Sequence, residues 1–191
     1  GWRQIDSLVE DWAGGDGHCC RLLVGMQQMP QDQLRSVMGL IKGEDQIDQA
    51  TAIALKKKLA QDFRDQLMVG IPTNADEEGL RRLAAQITSE KLRVKLFLRH
   101  PLHAKLYLLF RQDPVNPKIG YLGSSNLTLA GLSKQGELNV DILDRDACDK
   151  LATWFEDRWN DRFCIDISQE LVDIINNSWA RLEPIPPYHI Y

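Results

Sequence analysis

Two short segments of the sequence combine residue types that could act on a phosphate group. In HPLHAKLYLLF, residues 100–110, His103 and Lys105 stand two positions apart in a run that is otherwise mostly apolar. In GYLGSSNLTLAGL, residues 120–132, the tetrapeptide GSSN follows an apolar stretch. An imidazole can serve as a nucleophile or proton carrier near neutral pH, and an ammonium is a point charge suited to phosphate.

Strand geometry predicts how these groups would be arranged. A period of two places His103 and Lys105 on one face of a strand, with Tyr107 continuing the row. A neighbouring lysine favours the neutral, nucleophilic imidazole. In the second segment Ser124 offers a hydroxyl and Asn126 an amide donor, next to a glycine that lets the backbone approach a ligand closely.

Each segment alone also has an ordinary structural explanation. His103 could be a core histidine with satisfied hydrogen bonds, and Lys105 could extend its ammonium to the surface. GSSN could be a strand-to-helix turn in which a serine or the asparagine caps the segment LTLAGL. Neither pattern is specific by itself, and only their order on two successive predicted strands favours a shared site.

Together the two segments resemble the signature of the phospholipase D superfamily: HxK on one strand, a loop, and then a strand that ends in GSxN. Here the signature reads HAK at 103–105 and GSSN at 123–126. Glu137 opens the next apolar segment, ELNVDIL, as in nuclease-like members. The resemblance covers residues 92–143 closely and residues 19–165 loosely.

The resemblance implies a phosphodiesterase that needs neither metal nor cofactor. His103 would attack phosphorus and form a phosphohistidine intermediate. Lys105 and Asn126 would bind the non-bridging oxygens, with Ser124 supporting the phosphate or its loop. Glu137 would accept a hydrogen bond from the imidazole and orient it. Because the chain carries one copy of the signature, the resemblance also implies a homodimer whose subunits share the active site.

The chain departs from the fuller signature of the superfamily at one position. Lipid-cleaving members carry an aspartate five positions after the lysine, where this chain has Phe110. Asp113 in the following loop is not a convincing replacement. Many nuclease-like members also lack that aspartate, so the departure and the single copy favour nucleic acid over lipid as the substrate.

The distribution of charge supports a nucleic-acid partner locally but not globally. The net charge of −4 is mild evidence against such a partner. Between residues 91 and 118, however, seven basic residues face a single acidic one. A basic segment in an acidic domain can still present a basic groove. The predicted nucleic-acid contacts, with DNA favoured, are Lys91, Arg93, Lys95 and Arg99.

The elements that must position these residues are helices and strands in alternation. KLRVKLFL alternates basic and apolar residues, which places Lys91, Arg93 and Lys95 on one face of a strand. Helices interspersed with apolar strands that are covered on both sides predict an α/β fold with a mixed sheet flanked by helices on both faces. Hydrophobic periodicity predicts helices over 2–12, 31–41, 48–68, 75–88, 147–161 and 166–182. It predicts strands over 19–26, 91–98, 104–110, 118–124 and 137–143.

The length of 191 residues fits one domain, and the ends suggest a longer polypeptide. We expect a phosphodiesterase domain over 1–182 and the start of a Pro-rich linker over 183–191. The overall sequence, including FEDRWND at 155–161 and PIPPYHIY at 184–191, resembles the N-terminal domain of large superfamily 2 helicases, so a helicase motor is an expected neighbour. Restriction endonucleases of the phospholipase D superfamily are the nearest other comparison.

The remaining observations bear on location and on alternative functions. Neither a signal peptide nor a membrane-spanning run is evident, which predicts a cytoplasmic protein without a membrane partner. His18 beside Cys19 and Cys20 leaves a metal site open, although buried thiols are favoured. A non-catalytic DNA-positioning module that keeps the phosphate pocket is the main alternative, and a phospholipid-acting enzyme is a weaker one.

Overall fold

The computed structural model describes residues 5–25, 49–67, 74–124 and 138–177. The predicted helix over 31–41, the expected linker and the candidate residues Asn126 and Glu137 lie outside these ranges. The described helices are α1 Asp6–Glu10, α2 Gln49–Leu67, α3 Asn74–Thr88, α4 Arg145–Trp159 and α5 Ser168–Asn176. The described strands are β1 Cys20–Gly25, β2 Leu92–Phe97, β3 Leu106–Phe110, β4 Lys118–Gly123, β5 Asn139–Ile142 and β6 Cys164–Asp166.

The predicted α/β fold is confirmed, and its described strands form two three-stranded sheets. The first has the order β1-β2-β6, with β1 parallel and β6 antiparallel to the central strand. The second is an antiparallel meander, β3-β4-β5. Of the two, the first is the mixed sheet. In the described part of the chain, no helix has the length and apolar character needed to span a membrane.

The hydrophobic core lies on one face of the first sheet. Leu92, Val94 and Leu96 of β2 are 0% exposed, while Arg93 and Lys95 between them are half-buried. This is the alternation that KLRVKLFL predicts, since successive strand residues point to opposite faces. Helices α2, α3 and α5 cover the apolar face through a common set of buried side chains, among them Leu59, Leu83, Ile87, Leu171 and Ile175.

Helix α4 covers the opposite face of the first sheet and also reaches the second sheet. Its first turn is capped by Asp144, whose carboxylate accepts the Ala147 N–H at 2.8 Å. At its far end, the Trp159 ring lies 4.6 Å from the Lys95 ammonium of β2. In its middle, Leu151 packs on Gly120 of β4, where an added Cβ would come within 2.9 Å of its side chain. Helix α4 therefore joins the two sheets.

An arginine on β1 fixes α4 against the first sheet. Arg21 donates two hydrogen bonds to the Glu156 carboxylate, at 2.6 and 3.0 Å, and its guanidinium lies 5.0 Å from the Phe155 ring centroid. The hydrogen bond from Arg21 lowers the pKa of Glu156. The paired state of this carboxyl group is therefore linked to folding.

This pairing predicts the pH dependence of stability. The pKa of Glu156 is lower in the folded than in the unfolded chain. Its stabilising contribution is therefore present at neutral pH and lost as the pH falls through the lowered pKa. Chemical denaturation of the wild type and Glu156→Gln across this pH range should show a gap in unfolding free energy that closes in acid. Arg21→Ala should close the same gap, and a gap independent of pH would contradict the assignment.

Candidate functional site

His103 and Lys105 lie in the connection from β2 to β3, residues 98–105, and not within a strand. Strand β3 begins at Leu106, so the expectation that strand periodicity aligns His103 with Tyr107 is wrong. Pro101, which has no N–H to donate to a ladder, lies in this connection. The side chain of His103 is exposed and that of Lys105 is half-buried.

The backbone of Lys105 nevertheless continues the ladder of the second sheet. Its carbonyl accepts the Gly123 N–H at 3.3 Å, one step beyond the paired residues Leu106 and Leu122. By the period of two, Lys105 shares a face with Tyr107, as predicted. The lysine ammonium lies 3.4 Å from the His103 backbone oxygen, to which it donates. The HAK and GSSN segments therefore meet at one edge of this sheet, where β3 begins and β4 ends.

A third segment reaches the same edge. Asn139, the first residue of β5, pairs with Gly123. Ser124 and Leu138 then exchange two hydrogen bonds: the Ser124 N–H donates to the Leu138 carbonyl at 3.1 Å, and the Leu138 N–H donates to the Ser124 hydroxyl oxygen at 3.2 Å. These bonds join the two described residues, Ser124 and Leu138, between which Asn126 and Glu137 lie in the sequence.

Glycine is required at position 123 by this close approach. A Cβ there would overlap the side-chain oxygen of Asn139 and the carbonyl oxygen of Leu138. The first residue of GSSN therefore lets β4 and β5 approach each other at the edge where Lys105 is held.

A second glycine supports the segment before His103. Gly25 ends β1, and a Cβ there would lie 2.5 Å from the Leu102 Cβ and 2.6 Å from the Leu102 carbonyl oxygen. The backbone of the residue before His103 thus rests on the carboxyl end of β1. Sequence reasoning missed this role, although the glycine that closes the apolar run of β1 was a visible signal. Carboxyl ends of parallel strands are common places for binding sites.

Each of the four basic residues predicted to contact nucleic acid has a partner within the chain. Lys91 donates to the Glu10 carbonyl at 2.5 Å, and Lys95 donates to the Trp159 carbonyl at 3.1 Å. The guanidinium of Arg93 pairs with Asp16 at 3.0 Å, and that of Arg99 with Asp161 at 2.9 and 3.1 Å. Nucleic-acid binding by these four residues stays a prediction.

The structure supports the view that Asp113 does not replace the missing aspartate. Its carboxylate accepts the N–H groups of Val115 and Asn116 at 2.9 and 3.2 Å, and these bonds lower its pKa. This turn joins β3 to β4 at the end of the sheet opposite Lys105. Phe110, at the position of the family aspartate, is 57% exposed at the same far end.

Of the two cysteines beside His18, Cys20 shows little thiolate character. Burial, with a smaller contribution from Cys19, raises the pKa of Cys20 to about 12. Metal ions bind the thiolate form, so this cysteine is a poor ligand at neutral pH. Within the ranges that the structure describes, no group of three or more His, Cys, Asp or Glu residues could hold a metal ion.

Comparison with known families agrees with this geometry. A family model described as "Cardiolipin synthase, PLD-like domain" matches residues 20–159, well over half of the chain. The chain belongs to the phospholipase D superfamily. The match includes the HAK and GSSN segments and Glu137. Members of this superfamily are phosphodiesterases, so phosphodiesterase-type chemistry is the activity that membership indicates. Neither a search of curated proteins nor a search of solved structures gave a match.

The close approach at Gly123 predicts the effect of Gly123→Ala. The added methyl group would separate β4 from β5, so hydrogen exchange at the Ser124 amide should become faster by roughly tenfold or more. Gly17→Ala is the control for an added methyl group without a close contact: its φ of 84° is unfavourable for alanine, but its Cβ would meet no atom within 4 Å. Equal exchange of the Ser124 amide in both variants would contradict the assigned role of Gly123.

Proposed function

We infer that this domain hydrolyses phosphodiester bonds of nucleic acid through a phosphohistidine intermediate and without a metal ion. The observation that carries the proposal is the hydrogen bond from the Gly123 N–H to the Lys105 carbonyl. It supports the proposal because it joins the two halves of the family signature at one sheet edge. His103 lies two residues before Lys105 and is exposed, so its imidazole is open to a polymeric substrate.

The first chemical step would be an in-line substitution at phosphorus. An imidazole nitrogen of His103 donates its electron pair to phosphorus, and the bond to the leaving oxygen breaks. The leaving oxygen takes a proton from the imidazolium of the partner subunit's His103. Lys105 and Asn126 hold the negative charge on the non-bridging oxygens, where it must be stabilised in the transition state.

The second step would restore the enzyme. The same imidazole of the partner subunit's His103, now neutral, removes a proton from water. The water oxygen then attacks phosphorus, and the phosphorus–nitrogen bond breaks. Glu137 accepts a hydrogen bond from the imidazole and fixes its tautomer, as a carboxylate does beside other catalytic histidines. Ser124 supports the segment of the sequence between β4 and β5, in keeping with its two hydrogen bonds to Leu138.

A nucleic-acid substrate is supported by the local excess of basic residues and by the weak, exposed ion pair of Arg93. The partner of Arg93 is Asp16, whose side chain is 93% exposed. Such surface ion pairs contribute only about 0–1 kcal/mol, so a substrate phosphate can replace the carboxylate. Lys91 and Lys95 instead donate to the backbone carbonyls of the last residues of α1 and α4. Arg93 is therefore the strongest candidate for a phosphate contact.

Replacement of the nucleophile tests the proposed reaction. The wild type should cleave single- or double-stranded DNA in excess EDTA, and His103→Ala should lose at least roughly a thousandfold in rate, because the covalent step requires the imidazole. His18→Ala is the matched histidine control and should retain full activity. Cleavage that survives in His103→Ala, or that EDTA abolishes, would refute the mechanism. DNA binding without cleavage would favour the positioning module.

A mixing experiment tests the shared active site. If catalysis needs His103 from two subunits, refolding the wild type with a roughly tenfold excess of His103→Ala should place most wild-type chains in mixed dimers. Their activity per wild-type chain should then fall by about the same factor. Unchanged activity per wild-type chain, or a monomer in analytical ultracentrifugation, would contradict a site built from two subunits.

Hydrolysis of phospholipid is a second candidate, favoured by the family description. The matching model carries the words cardiolipin synthase, which describe that family and give a lipid phosphodiester as an alternative substrate. Phe110, at the position of the family aspartate, argues against it. Phosphatidylglycerol vesicles should therefore release no glycerol under the conditions in which DNA is cleaved. A helicase motor that follows this domain remains part of the proposal, as does a cytoplasmic location.

A further inference from the structure

The connection that carries His103 is fixed to the first sheet at a point that the mechanism does not use. Arg99, four residues before His103, binds the Asp161 carboxylate in a bidentate manner, with N···O distances of 2.9 and 3.1 Å. Its guanidinium also lies 4.5 Å from the ring centroid of Phe163. A planar fork on a carboxylate gives both energy and a defined direction.

The acceptor side of this pair is itself rigidly held. Asp161 also accepts the Phe163 N–H at 2.7 Å, and its backbone carbonyl accepts the Cys164 N–H at 2.9 Å, where β6 begins. The Leu98 N–H donates to the Phe163 carbonyl at 2.9 Å, so the two segments are joined by backbone as well as side chains. The Asp161 side chain is 17% exposed, against 93% for the aspartate that Arg93 contacts.

Because its guanidinium is already bound by Asp161 and packed on Phe163, Arg99 differs from a residue that is available to bind a phosphate. We propose that Arg99 and Asp161 are positioning residues that fix the His103 segment, and that Arg99 is not a phosphate contact. The pair holds the segment at its start, and the contact of Leu102 on Gly25 supports it just before His103. A displacement of about 1 Å at a reacting group can cost roughly a hundredfold in rate, so such fixation matters for catalysis.

The expected loss of kcat rests on the proposed function, whereas the fixation of the His103 segment by Arg99 and Asp161 does not. Arg99→Ala, Asp161→Ala and Arg99→Lys should each lower kcat by roughly 10- to 100-fold. KM for DNA and its salt dependence should stay close to those of the wild type. Arg99→Lys is decisive, because lysine keeps the charge but cannot reproduce the bidentate fork. Combining Arg99→Ala with Asp161→Ala should cost no more than either alone.

The opposite result would identify a phosphate contact. In that case Arg99→Ala would raise KM and reduce the salt slope of DNA binding by about one, Arg99→Lys would behave like the wild type, and Asp161→Ala would not weaken binding. Arg82→Ala is the matched control. Arg82 pairs with Asp6 at 3.0 Å, with side-chain exposures of 38% and 6%, far from His103 in the chain. This variant should lose stability without loss of kcat.

A structural readout decides the proposal even if the wild type cleaves no substrate. In NMR spectra, Arg99→Ala, Arg99→Lys and Asp161→Ala should shift the His103 imidazole signals and speed hydrogen exchange at the Leu98 amide. Arg82→Ala should do neither. His103 signals that stay unchanged in all three variants would overturn the proposal. An inactive wild type whose His103 signals do shift would refute the proposed function alone.

Discussion

The site depends on two places where backbone packs against backbone and leaves no room for a side chain. Gly25 receives Leu102, and Gly123 receives the start of β5. The first contact fixes the residue before His103, and the second lies where β4 pairs with β5, beside the hydrogen bond from the Gly123 N–H to the Lys105 carbonyl. Because a methyl group at either glycine would meet backbone atoms, excluded volume fixes Leu102 against the end of β1 and β4 against the start of β5.

The relation between the two sheets is set mainly by helix α4. Its Trp159 end packs on β2, and Leu151 packs on β4. The Cys148 thiol, one turn before Leu151, is buried and donates to the Ile142 carbonyl of β5 at 3.1 Å. A 15-residue helix is about 22 Å long, enough to contact both sheets along one side. The segment 98–105 follows β2 of the first sheet and leads into β3 of the second sheet. Packing of α4 on both sheets therefore holds this segment next to the second sheet.

Local patterns were sufficient for much of the fold, and they also supplied the candidate site residues, whose catalytic roles stay predictions. The alternation in KLRVKLFL predicted which side chains of β2 are buried, and apolar spacing predicted α2, α3 and α4. HAK and GSSN were recognised because their spacing is specific. Three features depend on distant contacts instead: the division into two sheets, the start of β3 at Leu106, and the partners of the basic residues. Arg99 and Asp161 are 62 positions apart, and no local sequence pattern predicts a contact over that distance.

The hairpin that joins β3 to β4 lies at the end of the second sheet away from the HAK segment. Its turn is closed by the Arg111 N–H, which donates to the Pro117 carbonyl at 2.8 Å, and by the bonds of Asp113. Val115 at its tip is 79% exposed. Exposed loop tips of this kind accept foreign sequence more readily than paired strands do. A fluorophore or an epitope inserted beside Val115 would label the protein while leaving both glycine contacts undisturbed.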